Sequence, residues 1–170
     1  NRLVDGMAMD VARVAKARNL TISVARNTFP NTPTYGDAER LYQAILKVVY
    51  NAIKYTPDSG RISLRARTLP GFTDIIVEDT GIGIDPDDLL RIFEKFSSLG
   101  NVAHHSSGKT KFKGGGAGLG LAIAKGILDA HGGTIWAESQ GCDEVALLGS
   151  TFHIMIPMRS APPGDSMTQL

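Results

Sequence analysis

"AHHSSGKTKFKGGGAGLGLAIAKG", residues 103–126, contains two stretches able to cradle a phosphate, and they belong to different folds. The first, residues 103–110, nearly spells G-x-x-x-x-G-K-[ST], with Ala103 where the leading glycine belongs. Such a loop needs a strand running into it and a helix starting at its Lys-Ser/Thr, so that amides and helix N-terminus converge on the phosphates. Here a helix and a loop precede Ala103, and Thr110 is followed by "KFKGGG", which cannot start a helix. The second stretch, Gly114 to Gly120, has the right context: an apolar helical pattern follows over Leu119–His131, and Gly132–Gly133 ends it. Glycines permit positive φ and close backbone approach, and the helix offers unpaired N–H groups and the positive end of its dipole. The second stretch is the favoured phosphate site; the plainer reading is a flexible linker before a core helix.

Working outward, Val11–Arg18 has weak helical character, "LTISV" (20–24) alternates like a strand, and "NTFPNTPTYG" (27–36) is a loop. Asp37 reads as an N-cap, and Leu41, Ala44, Ile45, Val48 and Ala52 form a helical stripe that Pro57 stops. Arg61–Arg67 and Asp74–Glu78 flank "PG" as a hairpin, and a short helix is expected around Leu89–Phe96. Residues 97–116 lack any hydrophobic period, which at that length inside a domain marks a functional or mobile loop. "GTIWAES" (133–139) and "STFHIMIP" (150–157) read as strands, and the polar, proline-bearing end after Arg159 reads as disordered. Strands mixed with about three helices predict an α/β sandwich, a mixed sheet with helices on one face.

The chain has 170 residues, 42% hydrophobic and 21% charged, which suits one domain with a real core. A formal charge of +1 gives no blanket basic surface, so neither nucleic acid nor direct membrane contact is expected. No apolar run approaches the roughly 20 residues of a membrane span, and the start is not a signal peptide. Cys142 is the only cysteine, which excludes an intrachain disulfide and suits a reducing compartment. The chain reads as soluble, whether complete or cut from a longer protein.

Three further features fit a nucleotide site. Lys47, Asn51, Lys54 and Tyr55 share one helical face, away from the apolar stripe, and bring together an amide, ammonium groups and a ring suited to metal, phosphate and base. A merely solvated face is the alternative. "VEDTGIGI" (77–84) ends a strand at Asp79 and turns through Gly81 and Gly83. An ionised Asp only accepts hydrogen bonds, so at a pocket floor it selects a base with an exocyclic amine, such as adenine, over guanine's O6. An Asp-Thr-Gly turn that caps a loop is the competing reading.

In order, "NAIKYTPDSG" (51–60), "DTGIGI" (79–84), "IFEKF" (92–96) and "GGAGLGLAIA" (115–124) resemble the N, G1, F and G2 boxes of the catalytic ATP-binding domain of sensor histidine kinases, relatives of gyrase, heat-shock chaperone ATPases and mismatch-repair ATPases. The likeness covers nearly the whole chain. It implies a Bergerat-type two-layer α/β sandwich over residues 20–158, after a helical lead-in at 1–19 and before a disordered tail at 159–170. The near-P-loop then falls in an ATP lid at about 97–116. The resemblance implies that Asn51 coordinates Mg²⁺ on the phosphates of ATP, that Lys54 contacts phosphate and that Tyr55 packs on adenine. It gives the adenine amine to Asp79, assisted by Thr151, and lets Gly81 and Gly83 pass the base. Gly116, Gly118, Leu119, Gly120 and Leu121 line the phosphates, while Phe93 and Phe96 anchor the lid.

Two positions depart from the family pattern. Lys47 stands where the kinases usually carry Asn and the hydrolysing relatives a Glu base; a protonated ammonium cannot activate water. Ser97-Ser98 stands where many kinases carry an Arg for the γ-phosphate, leaving Lys109, Lys111 and Lys113 as candidate point charges or as solvated loop lysines. No His lies in a phosphoacceptor context. The implied protein is therefore the ATP-binding half of a cytoplasmic kinase region, inactive in autophosphorylation by itself. Its implied partners are a helical dimerisation domain carrying the phosphoacceptor and, downstream, a response-regulator receiver domain, whether or not the parent is membrane-anchored. A nucleotide-binding pseudokinase or docking module, or a serine/threonine kinase of the same superfamily, remains open.

Overall fold

A computed structural model describes residues 2–30, 34–95 and 118–159. Helix α1 (Arg2–Ala17) is followed by β1 (Thr21–Val24), α2 (Ala38–Tyr55), the hairpin β2 (Arg61–Leu69) and β3 (Phe72–Asp79), α3 (Gly120–Ala130), β4 (Thr134–Glu138) and β5 (Ser150–Pro157). The five strands form one mixed sheet in the order β1-β2-β3-β5-β4, parallel only between β1 and β2.

Alternation along the strands sorts the sheet into two faces. The rows Leu64–Val77–Phe152–Ala137 and Ala66–Ile75–Ile154–Ile135 lie in register and join the buried core with Leu41, Ala44, Ile45, Val48 and Ala52 of α2 and Leu121, Ala124 and Leu128 of α3. The opposite face is polar: Arg65 pairs with Glu78 at 2.9 Å, Arg67 with Asp74 at 2.8 Å, and the Trp136 ring stacks on His153 at 4.5 Å. This is the two-layer sandwich with helices on one face that the sequence predicts.

Asp37 caps α2 as expected, its carboxylate accepting from the Arg40 N–H at 3.0 Å. Thr56, extended because Pro57 follows it, ends the helix. The hairpin turns on Pro70 and on Gly71 at φ +78°, a backbone angle open to glycine. At the end of α3, Gly132 is left-handed (φ +71°) and the Gly133 N–H reaches the Leu128 carbonyl at 2.8 Å. His131 ties the two core helices together: its Nδ1 lies 2.8 Å from the Ile127 carbonyl and its Nε2 accepts the Asp37 N–H at 3.1 Å, an arrangement that the Nδ1–H tautomer satisfies.

Two expectations change. The lead-in helix is longer than Val11–Arg18 and belongs to the same core, through Val11 and Ala15 and through a Tyr42 hydroxyl that donates to Asp10. Gly6 weakens its sequence signal, and packing against Tyr42 compensates. The helix expected at Leu89–Phe96 is instead a pair of 3₁₀ turns, Pro86–Asp88 and Arg91–Phe93. A segment this short cannot recover the nucleation cost of an α-helix. Its anchor is Phe93, set edge-on to Phe152 at 6.4 Å.

Arg18 fastens the start of the sheet to the end of α2. Its guanidinium donates to the carbonyls of Ile53 at 2.5 Å and Thr56 at 2.6 Å and meets Asp58 at 2.8 Å. Arginine here satisfies carbonyls that the helix leaves open and complements its dipole. Replacing Arg18 by Met is expected to cost about 2–4 kcal/mol in urea unfolding, whereas Asp58→Ala, at a side chain 70% exposed, should cost under about 1 kcal/mol. Equal losses would show that the ion pair, rather than the carbonyl bonds, does the fastening.

Candidate functional site

The row of the sheet beyond Leu64–Val77–Phe152 reads Ile62–Asp79–Ser150, so a carboxylate occupies a core-facing position at the end of β3. Asp79 is 8% exposed. Its Oδ1 accepts the Gly81 N–H at 2.8 Å, and the Ser150 backbone lies directly across from it in the strand register. Burial pushes its pKa up from 3.8 to about 6, and the nearby backbone N–H groups of Gly81 and Ser150 hold it from rising further. At neutral pH the group is therefore an ionised acceptor, aimed by backbone, with lone pairs to spare.

Thr151 lines the same pocket as Asp79. It lies one residue along β5, across from Glu78 on the polar face, because adjacent strand residues point to opposite sides. The hydroxyl beside Asp79 is that of Ser150. The signal was present: Phe152 must face the core, so Ser150 must too. An open pocket of about 390 Å³ at this end of the sheet is lined by Asp79, Ser139, Leu148, Gly149, Ser150 and Thr151. Ser139 and Leu148 belong to the β4–β5 connection, which carries no recognisable motif.

The turn after Asp79 is clamped on both sides. A Cβ on Gly81 would collide with the Tyr55 carbonyl, which accepts the Ile82 N–H at 3.2 Å; the Gly81 carbonyl accepts from the Gly149 N–H at 2.9 Å. Gly83, at φ +81°, sits against the Gly141 carbonyl. The atoms that an added Cβ would meet at both positions include protein backbone.

On α2, Lys47, Asn51, Lys54 and Tyr55 are all half-buried on the side next to this turn and to α3. The Lys54 ammonium lies 5.0 Å from the centre of the Tyr55 ring. The stem of Lys47 passes 3.8 Å from where a Gly120 Cβ would be. Gly120 starts α3: Gly118 is left-handed (φ +65°), Leu119 caps without a side-chain bond, and the first turn holds no acid. The opening N–H groups of such a helix have no partner within it. The Leu121 side chain joins the core, leaving only its N–H for a ligand. Phe96, Lys109, Lys111, Lys113 and Gly116 lie outside the described residues. Among the described residues no group of His, Cys, Asp or Glu is arranged to hold a metal.

The geometry predicts a pH signature. A carboxyl that titrates at about 6 when folded and near 3.8 when unfolded stabilises the fold below pH 3.8 relative to neutral pH, and that contribution is lost as pH rises through 6. The cost at pH 7 is up to about 3 kcal/mol. Asp79→Asn keeps an acceptor for the Gly81 donor. It should raise the pH 7 stability by about 1–3 kcal/mol and flatten the slope between about pH 4 and pH 6, read by urea unfolding. An unchanged slope would mean that Asp79 is solvated.

Residues 36–160 match the family described as Histidine kinase-, DNA gyrase B-, and HSP90-like ATPase. Sensor histidine kinase RppB of Synechocystis is 35% identical over 95% of this chain, which covers 33% of that protein. The solved structure of the mycobacterial sensor histidine kinase MprB aligns with a TM-score of 0.67 at 28% identity, over 92% of this chain and 94% of that one. Full-length ShkA, solved in complex with AMPPNP, aligns with a TM-score of 0.73 at 28% identity, over 94% of this chain and 30% of that one. The chain spans 13% to 42% of the length of the first curated relatives it matches. With its mixed sheet, clamped Asp-Thr-Gly turn and glycine-led α3, this chain belongs to the histidine kinase, gyrase B and HSP90-like ATPase family, as the catalytic ATP-binding domain of a sensor histidine kinase.

Proposed function

We propose that the domain binds Mg²⁺–ATP and presents the γ-phosphate to a histidine on a separate helical dimerisation domain of the same parent kinase, which then passes phosphate to a receiver-domain aspartate of a response regulator. The observation that carries this reading is Asp79: a buried carboxylate, ionised at neutral pH and held by the Gly81 N–H, suits an adenine amine and rejects a guanine oxygen. Tyr55 packs on the base. The N–H groups of Gly118, Leu119, Gly120 and Leu121, with Gly116, meet the phosphates at the start of α3, and Lys54 adds a positive charge.

The Asn51 amide oxygen is a hard donor suited to Mg²⁺, which takes few protein ligands and fills its sphere from phosphates and water; the metal would neutralise phosphate charge during transfer. Lys47, one turn before Asn51 and with its stem over Gly120, adds charge at the same place. Transfer of this kind depends on positioning and charge stabilisation, so Lys54 with the lid residues Lys111 and Lys113 completes the catalytic set. A cytoplasmic setting, beside the regulator, follows from this role. No helix among the described residues is long and apolar enough to cross a membrane.

One observation favours a second reading. Lys47 at the phosphate end substitutes a fixed cation for part of the metal's work, as in a nucleotide-binding module that has lost transfer. The two readings separate in calorimetric titration with a non-hydrolysable ATP analogue and in transfer to a supplied dimerisation domain. The kinase reading expects Mg²⁺ to tighten binding about tenfold or more, Asn51→Ala to remove that gain, and an acid-labile, alkali-stable phosphoprotein to form. Binding indifferent to Mg²⁺ with no transfer supports the docking module, and an acid-stable product the serine/threonine kinase.

A further inference from the structure

The connection between β4 and β5, residues 139–149, is far longer than the roughly two to five residues of an ordinary hairpin loop, and it is tied down throughout. The Asp143 N–H donates to the Ile82 carbonyl at 2.7 Å, Cys142 bridges to Gly83, and the Asp143 carboxylate accepts from the Val145 and Ala146 N–H groups, each at 2.7 Å. At the start of this loop the Ser139 hydroxyl gathers three segments. Its oxygen accepts the Ile84 N–H at 3.0 Å, and it lies 2.7 Å from the Gly149 carbonyl and 3.0 Å from that of Gly141, with one proton to give.

The nearer of those carbonyls matters most. The C=O of Gly149 and the N–H of Ser150 belong to one planar peptide unit, so fixing one fixes the direction of the other. Gly149 also donates its own N–H to the Gly81 carbonyl at 2.9 Å, and the Gly81 N–H is the donor to Asp79 Oδ1 at 2.8 Å. The chain of contacts therefore runs from the Ser139 O–H to the Gly149 carbonyl, from the Gly149 N–H to the Gly81 carbonyl, and from the Gly81 N–H to the Asp79 carboxylate. Gly149 is in its left-handed conformation (φ +71°) and packs against the Asp79 carbonyl, so this peptide has no side chain of its own to hold its tilt.

We propose that Ser139 is a positioning residue for base recognition: by holding the Gly149–Ser150 peptide and the Ile84 end of the facing turn, it aims the Asp79 carboxylate at the exocyclic amine. The inference rests on the reading that Asp79 receives that amine. Hydrogen bonds linked in a chain polarise one another, so losing the outer one weakens the inner ones as well as freeing their direction. The other ties of the loop do not pass through Ser139, and the fold should survive its truncation.

The test compares the affinities of ATP and of purine riboside triphosphate, which lacks only the amine, for the unaltered chain and for Ser139→Ala and Ser139→Thr, with urea midpoints read on the same samples. The expected result is a preference for ATP in the unaltered chain, reduced about five- to tenfold in Ser139→Ala and largely regained in Ser139→Thr, with binding of the amine-free nucleotide nearly unchanged. If Ser139→Ala does not fold, Ser139→Cys, of nearly the same volume and with a weak donor, takes its place. Equal losses for both nucleotides, or an unchanged preference, overturn the positioning role and leave the Asp79 reading standing. An unaltered chain that does not distinguish the two nucleotides overturns the Asp79 reading and this inference with it.

Discussion

Everything at the ligand-facing end of this domain depends on keeping one carboxylate charged inside the core. Asp79 continues a row of apolar side chains, and its burial works against its ionisation. Two backbone N–H groups, from Gly81 and Ser150, offset enough of that cost for the group to remain an anion at neutral pH. Both come from segments whose conformation is fixed elsewhere. Gly81 is pressed on the end of α2, and Ser150 follows a left-handed glycine held by the β4–β5 loop. The acceptor is thus ready before any ligand arrives, which is how a site avoids paying for order at the moment of binding.

The start of α3 is built differently. It has no side-chain cap and no acid in its first turn, and the stem of Lys47 passes over Gly120. A helix N-terminus and an ammonium group both favour an anion, and both are left without one by the chain's own first-turn residues. Along α2 the stem of Lys47 meets Gly120 and the Tyr55 carbonyl meets the turn at Gly81 and Ile82, with Asn51 and Lys54 between those two residues in sequence.

Much of this was legible in the sequence because its signals were local. The apolar stripe of α2, its Asp37 cap, the Pro-Gly hairpin and the glycine stop of α3 each rest on a few neighbouring residues, and the structure has them where the sequence puts them. What was not legible required partners distant in the chain. The length of α1 depends on Tyr42, the 3₁₀ turns before Phe93 on the packing of that ring against Phe152, and the place of Ser150 beside Asp79 on strand register. Ser139 carries no motif at all; its part emerges only when the Gly149 carbonyl is brought to its hydroxyl. Motif order revealed the family, and the third dimension was needed to say which hydroxyls stand beside the carboxylate.

The most direct test is a crystal structure of this chain with Mg²⁺ and AMPPNP. The exocyclic amine should lie about 3 Å from an Asp79 oxygen, with the phosphates at the first N–H groups of α3 and the metal against the Asn51 amide. A nucleotide bound elsewhere, or one whose base turns another edge to Asp79, would contradict the assignment of this carboxylate as the adenine reader.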